Sequence, residues 1–228
     1  MTVEYRGQFL REFIRDPLTV ASVAPSSQAL ADAVVAPVPL TGDPVVVELG
    51  PGTGAFTQAI QRRLAGRGHH LAIEINERFA DLLAARFPGV DLAIADARKL
   101  REILTVRGLD HADVIVSGLP WAAFTPGRQD DLLTAVTAVL APYGAFTTFA
   151  YTHTRWMPPA RRLRRSLGER FEEVVRGQTV WANMPPAFVY VCRRPHIPAR
   201  RGTTTGMAPH LSWRRPTRTS QITRPPNR

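Results

Sequence analysis

Cysteine and lysine are nearly missing from this sequence. Cys192 is the only thiol, which excludes an internal disulfide and suits a reducing, cytosolic location. Lys99 is the only lysine among 29 basic residues, and so strong an arginine bias fits GC-rich codon usage as readily as a function. Long apolar runs are scarce too. The opening M-T-V-E-Y-R-G-Q-F has no apolar centre of the kind a signal peptide needs. The uncharged window at 132–151 is cut by Pro142 and Gly144 into a helix end and a strand start, which excludes a membrane span there. Acidic residues are absent from 195–228, where seven arginines stand. Those seven carry most of the formal charge of +10 and leave only +3 on residues 1–194. The body is mildly basic, so charge alone assigns no nucleic-acid partner.

What the sequence does have is a strand that empties through glycines into a helix. Residues 45–54 read V-V-V-E-L-G-P-G-T-G, and 55–64 follow with helical periodicity. Such a corner binds a nucleotide-like cofactor at the edge of a doubly wound sheet. The glycines at 50, 52 and 54 are spaced G-x-G-x-G, unlike the G-x-G-x-x-G of dinucleotide enzymes.

The rest of the chain alternates regularly. Strands are expected at 70–75, 91–95, 113–117, 145–151, 173–181 and 187–192, with helices at 77–87, 97–107, 130–140 and 158–171. The last two strands have no helix between them and should pair antiparallel at one edge. The fold class is therefore α/β: a Rossmann-like, seven-stranded sheet with a terminal antiparallel edge and an N-terminal helical extension. Residues 1–40 form that extension, 41–194 the cofactor-binding domain and 195–228 a disordered basic tail. In the extension, 4–15 place Phe9, Leu10, Phe13 and Ile14 on one helical face. That helix either docks on its own domain or lies on a membrane or over substrate. Ser26 or Ser27 caps a second short helix from Gln28.

Acids recur at successive strand ends: Glu48, Glu74 and Asp96. Glu74 follows Gly54 by 20 residues, the interval at which a carboxylate takes both hydroxyls of a ribose. Asp96, one strand on, suits the exocyclic amine of a purine. The motifs E-L-G-P-G-T-G, A-I-E-I-N and I-A-D-A together resemble class I S-adenosylmethionine-dependent methyltransferases. That resemblance implies S-adenosylmethionine as cofactor. It places Gly50, Gly52 and Gly54 at the methionine end, Glu48 near the methionine amino group and Glu74 with Ile75 at the ribose. Asp96 and Ala97 fall at the adenine, and Ser117 belongs to the same set. No metal site is assigned.

Strand four ends in S-G-L-P-W. Gly118, Leu119, Pro120 and Trp121 are the candidate acceptor-site residues, because this loop emerges beside the cofactor corner. It resembles the N-[IL]-P-[YF] loop of ribosomal RNA adenine dimethylases, with Gly118 where asparagine would stand. Trp121 is left with three roles: stacking on a ring, covering a quaternising amine, or packing. A wider resemblance is to bacterial phospholipid N-methyltransferases. It rests on F-L-R-E-F-I-R, A-P-S-S at 24–27, E-L-G-P-G-T-G at 48–54, S-G-L-P at 117–120 and W-A-N-M-P-P-A at 181–187. It implies N-methylation of a phospholipid headgroup such as phosphatidylethanolamine by a monomer at the inner membrane surface. RNA adenine methylation is the alternative. Tyr5, Tyr151 and His153 are candidate bases by position. The arginine helix at 158–171 presents either a solvated face or a surface for phosphates of lipid or RNA.

Overall fold

The computed structural model describes residues 26–196. The helix expected at 4–15, with Tyr5 in it, and the tail beyond His196 lie outside the described residues.

The sheet begins with β1 (Val45–Leu49), where three valines supply the β-branched side chains that suit a buried strand. β2 (His69–Glu74) and β3 (Asp91–Ile94) pair parallel on one side of it, β4 (Ala112–Ser117) on the other. β5 (Leu140–Tyr151) pairs parallel with β4. β7 (Ala187–Pro195) then runs antiparallel between β5 and β6 (Phe171–Arg176). The order is β3-β2-β1-β4-β5-β7-β6, seven strands with the expected antiparallel edge. β5 starts at Leu140 because that residue pairs with Ala112 across an irregularity in the ladder. β7 extends through Pro195, which pairs with Phe171.

Helices cover both faces. On one, α1 (Gln28–Val35) and α2 (Ala55–Leu64) bury Leu30, Val34, Phe56 and Ile60 against Val46, Val114, Val116 and Val189. The Ser27 hydroxyl accepts from the Leu30 N–H (3.2 Å) and starts α1. Leu30, Ala31, Val34 and Val35 of α1 are buried and join the core on this face. α3 (Glu77–Arg86) lies on β2 and β3, capped by the Asn76 side chain. On the other face, α4 (Leu100–Thr105), α5 (Pro126–Val139) and α6 (Pro158–Arg170) bury Leu104, Leu133, Val136, Leu163 and Leu167 against Leu71, Ile115 and Phe146. α5 begins four residues before its expected start, because Thr125 caps it and Pro126 fits the first turn. The stretch expected as one helix at 97–107 is a 3-10 turn (Ala97–Lys99) followed by α4. Cys192 is buried in β7, and burial pushes its thiol up to about 12, leaving it a packing group. Among the described residues, no helix is long and apolar enough to cross a membrane.

Candidate active site

The parallel strands bring four loops to one end of the sheet. The Gly50 N–H donates to the Ile73 carbonyl (2.9 Å), Gly118 N–H to Leu49 (2.8 Å) and Ala95 N–H to Glu74 (3.0 Å). The expected residues Gly50, Glu74, Ile75, Asp96, Ala97 and Gly118 are thereby neighbours along one crevice, outside the carboxyl ends of β3, β2, β1 and β4.

Gly50 and Gly54 stand at φ +68° and +84°, a region L-side chains rarely enter. Each is also shut in. A Cβ on Gly50 would lie 2.7 Å from Leu119 Cδ2, and one on Gly54 2.8 Å from the Phe87 ring. At Gly52 the space is open, with nothing within 4 Å of a Cβ position. The glycine turn therefore leans on its neighbours at both ends and presents a bare middle.

Glu74 holds that turn. Its Oε2 accepts from the Gly52 N–H (3.2 Å) and its Oε1 from the Asn76 N–H (2.9 Å). Burial raises its pKa above the ordinary carboxylate value; the N–H groups of Asn76, Gly52 and Ile75 oppose this, and nearby Glu48 adds to it. Donors arriving from a ligand, such as the two hydroxyls of a ribose, would favour the charged form. Ile75 beside it is apolar and 49% exposed, a platform at the crevice lip. Asp96 caps the following turn, accepting from the Arg98 N–H (2.9 Å) and from the Arg98 guanidinium (2.8 Å). Burial alone would raise its pKa, but the bonds to Arg98 win and hold it low.

Three of the expected residues are buried. Glu48 is fully buried under α2. Its Oε2 accepts from the Thr57 hydroxyl (2.8 Å) and lies 3.2 Å from His70 Nε2, whose Nδ1 meets Gln61 Nε2 at 2.8 Å. Only its Oε1 lacks a partner. Ser117 is also fully buried, and its hydroxyl accepts from Trp121 Nε1 (3.0 Å). Trp121 is 3% exposed, edge-on to Phe124 and Phe146. Of its three possible roles the structure selects packing: it positions the loop and offers no face to a substrate. Gly118, Leu119 and Pro120 remain half-buried at the crevice.

Gln129 was not singled out in the sequence, since it reads as one more polar residue on a helix. It is 1% exposed, and its Nε2 donates to the Trp121 carbonyl (2.6 Å) while its Oε1 accepts from Arg162 Nε (3.3 Å). Gln129→Leu should cost about 1–3 kcal/mol by leaving those groups unpaired. Urea unfolding checks this; an unchanged midpoint and slope would show the network carries no stability. Asn183 is likewise buried. Its Oδ1 accepts from the Ser27 N–H (2.8 Å) and its Nδ2 donates to the Pro185 carbonyl (2.7 Å), so two of the quoted motifs meet across the fold.

A bare glycine turn, a desolvated carboxylate bonded to it and an apolar platform beside them fit a ligand with a ribose and a flat base. The comparisons agree. A methyltransferase-domain family model matches residues 46–144. The ornithine lipid N-methyltransferase of Singulisphaera acidiphila is 38% identical over 188 residues, 81% of this chain and 94% of that one. The magnesium protoporphyrin IX methyltransferase of Synechocystis PCC 6803, solved with bound SAM, superposes with a TM-score of 0.61 at 10% identity, covering 83% of this chain and 96% of that one. TrmN from Thermus thermophilus superposes at 0.56 with 20% identity over 73% of this chain, which spans about half (48%) of its length. Fold and crevice define a class I S-adenosylmethionine-dependent methyltransferase. Within that class, the chain belongs to the N-methyltransferase family represented by the Singulisphaera enzyme.

Proposed function

We propose that the chain methylates the primary amine of a lipid headgroup, either an ornithine-type amino lipid or phosphatidylethanolamine. The observation that carries this reading is the 38% identity spanning nearly all of an ornithine lipid N-methyltransferase. The acceptor loop supports it. Gly118 has no amide with which to hold an adenine amine. It has no room for one either, since a Cβ there would lie 2.5 Å from the Gly50 carbonyl oxygen. RNA adenine methylation finds no support and is set aside.

The chemistry S-adenosylmethionine supplies is a sulfonium methyl open to in-line displacement, which needs a nucleophile about 3–3.5 Å away and aligned. The residues of this chain then have three tasks. Gly52 and Glu74 hold the amino-acid and ribose ends. Gly118 to Pro120 shape the approach of the amine, held in place by Trp121, Ser117 and Gln129. The end of β5 supplies a wall. Ser117 is in register with Thr148, so Phe149 and Tyr151 continue beside the acceptor loop. Their rings meet edge-on, and Tyr151 stacks on His153 at 5.8 Å between centroids. Burial raises the Tyr151 pKa, so its phenol stays neutral and serves as a hydrogen-bonding surface, not as a base. The amine must therefore arrive unprotonated or lose its proton to water or His153.

The test offers a labelled methyl donor with three acceptors in turn: ornithine lipid, phosphatidylethanolamine and ribosomal RNA. Label is expected in one or both lipids and none in RNA. Labelled RNA with unlabelled lipid would end this reading.

A further inference from the structure

Two loops at the crevice end of the sheet hold large apolar side chains out in solvent. Trp156 (70% exposed) and Met157 (41%) follow β5, while Trp181 (78%) and Met184 (77%) lie between β6 and β7. The loops are joined: the Thr152 N–H and hydroxyl both donate to the Pro186 carbonyl, at 2.9 and 3.0 Å. Side chains of this size belong in cores or interfaces. Tryptophan in particular favours the boundary between water and lipid.

The charge around them has one sign. Residues 150–168 hold Arg155, Arg161, Arg162, Arg164 and Arg165 and no acid, and 177–187 hold no charge. The Arg155 guanidinium lies 4.4 Å from the centre of the Trp156 ring. Pro158, Arg161, Arg162 and Arg165 line a cavity of about 430 Å³. Arg162 Nη2 is shielded from water without a hydrogen-bond partner, although its Nε reaches Gln129. None of these five arginines makes an ion pair among the described residues. A guanidinium nitrogen shut from water without an acceptor is costly. Three of them around one cavity suit an oxyanion such as phosphate.

We infer that this face docks on an anionic phospholipid bilayer: Trp156, Met157, Trp181 and Met184 enter the interface, and Arg161, Arg162 and Arg165 take a lipid phosphate. The inference rests on the lipid-acceptor reading above and adds the surface that meets the membrane. Anionic leaflets attract arginine clusters over roughly a Debye length, and the apolar side chains then supply short-range insertion. Arg162, through Gln129, is bonded to the Trp121 carbonyl. The docking face and the acceptor loop are thus parts of one packed unit, with α6 seated on the turn at Trp121–Ala123.

The test is flotation of the full chain with vesicles of phosphatidylcholine, with and without phosphatidylglycerol. The wild type should float with the anionic vesicles, and brominated acyl chains should quench its fluorescence. W156S/W181S should lower the partition about tenfold or more and lose the quenching. R161E/R165E should abolish the dependence on phosphatidylglycerol. Both variants should keep wild-type methylation of a short-chain, monomeric amino lipid, which also shows that they fold. Variants that float like the wild type overturn the inference, as does a wild type that binds single-stranded RNA and no vesicles. A wild type that leaves the short-chain lipid unmethylated instead overturns the lipid-acceptor reading, whatever the flotation result.

Discussion

Glu74→Ala should weaken S-adenosylmethionine binding by two orders of magnitude or more. One carboxylate does two jobs. It accepts from Gly52 and Asn76, which sets the glycine turn, and under the cofactor reading it also accepts from the ribose hydroxyls. Each charge-assisted hydrogen bond lost is worth about 1.5–3 kcal/mol, so losing two amounts to roughly a hundredfold or more. Unfolding should change far less, because the same substitution relieves the burial that raises the Glu74 pKa. Calorimetric titration with S-adenosylmethionine, alongside a circular dichroism melt, separates the two. An unaltered affinity would remove the ribose assignment.

Gly118→Ala should be nearly as damaging for a different reason. The added methyl would stand 2.5 Å from the Gly50 carbonyl oxygen and 3.6 Å from that of Leu49. Both are backbone atoms in the ladder that joins β1 to β4, where the Gly118 N–H donates to Leu49. No rotamer change relieves such a contact. Either β4 retreats or the glycine turn tilts, at a cost of about 1–3 kcal/mol of overpacking. For a domain of this size that lowers the melting temperature by about 2–4 °C per kcal/mol. Cofactor affinity should fall with it, because Gly50 belongs to the binding turn. A melt and a titration both matching the wild type would show that the close approach is not needed. Gly118→Asn meets the same obstacle, so it should not confer adenine methylation.

The site was partly legible in advance. Runs such as Val45-Val46-Val47 and the helical spacing of Phe56, Ile60 and Leu64 are local signals, and they led to the observed strand, turn and helix. Glu74 and Asp96 were readable because strand ends in a parallel sheet share one edge, whatever else the chain does. Trp121 was not readable, because its surroundings come from far along the sequence: Gln129 bonds its carbonyl, and Phe146 packs on its ring. Glu48 was only half-legible, for a related reason. Its sheet face follows from strand parity with Val46, but that α2 would bring Thr57 over it, with His70 alongside in β2, is decided by packing.

The sequence by itself determined the class of fold, the cofactor corner and the absence of an amide at Gly118. Each depends on residue type and spacing over a few turns of chain. The tertiary structure decided which of the recognised residues face the crevice and which are buried beneath it. It also decided that Ser27 would meet Asn183 and that exposed tryptophans from two loops would stand beside an arginine-lined cavity. Those outcomes depend on contacts between segments far apart in sequence, and local periodicity carries no record of them.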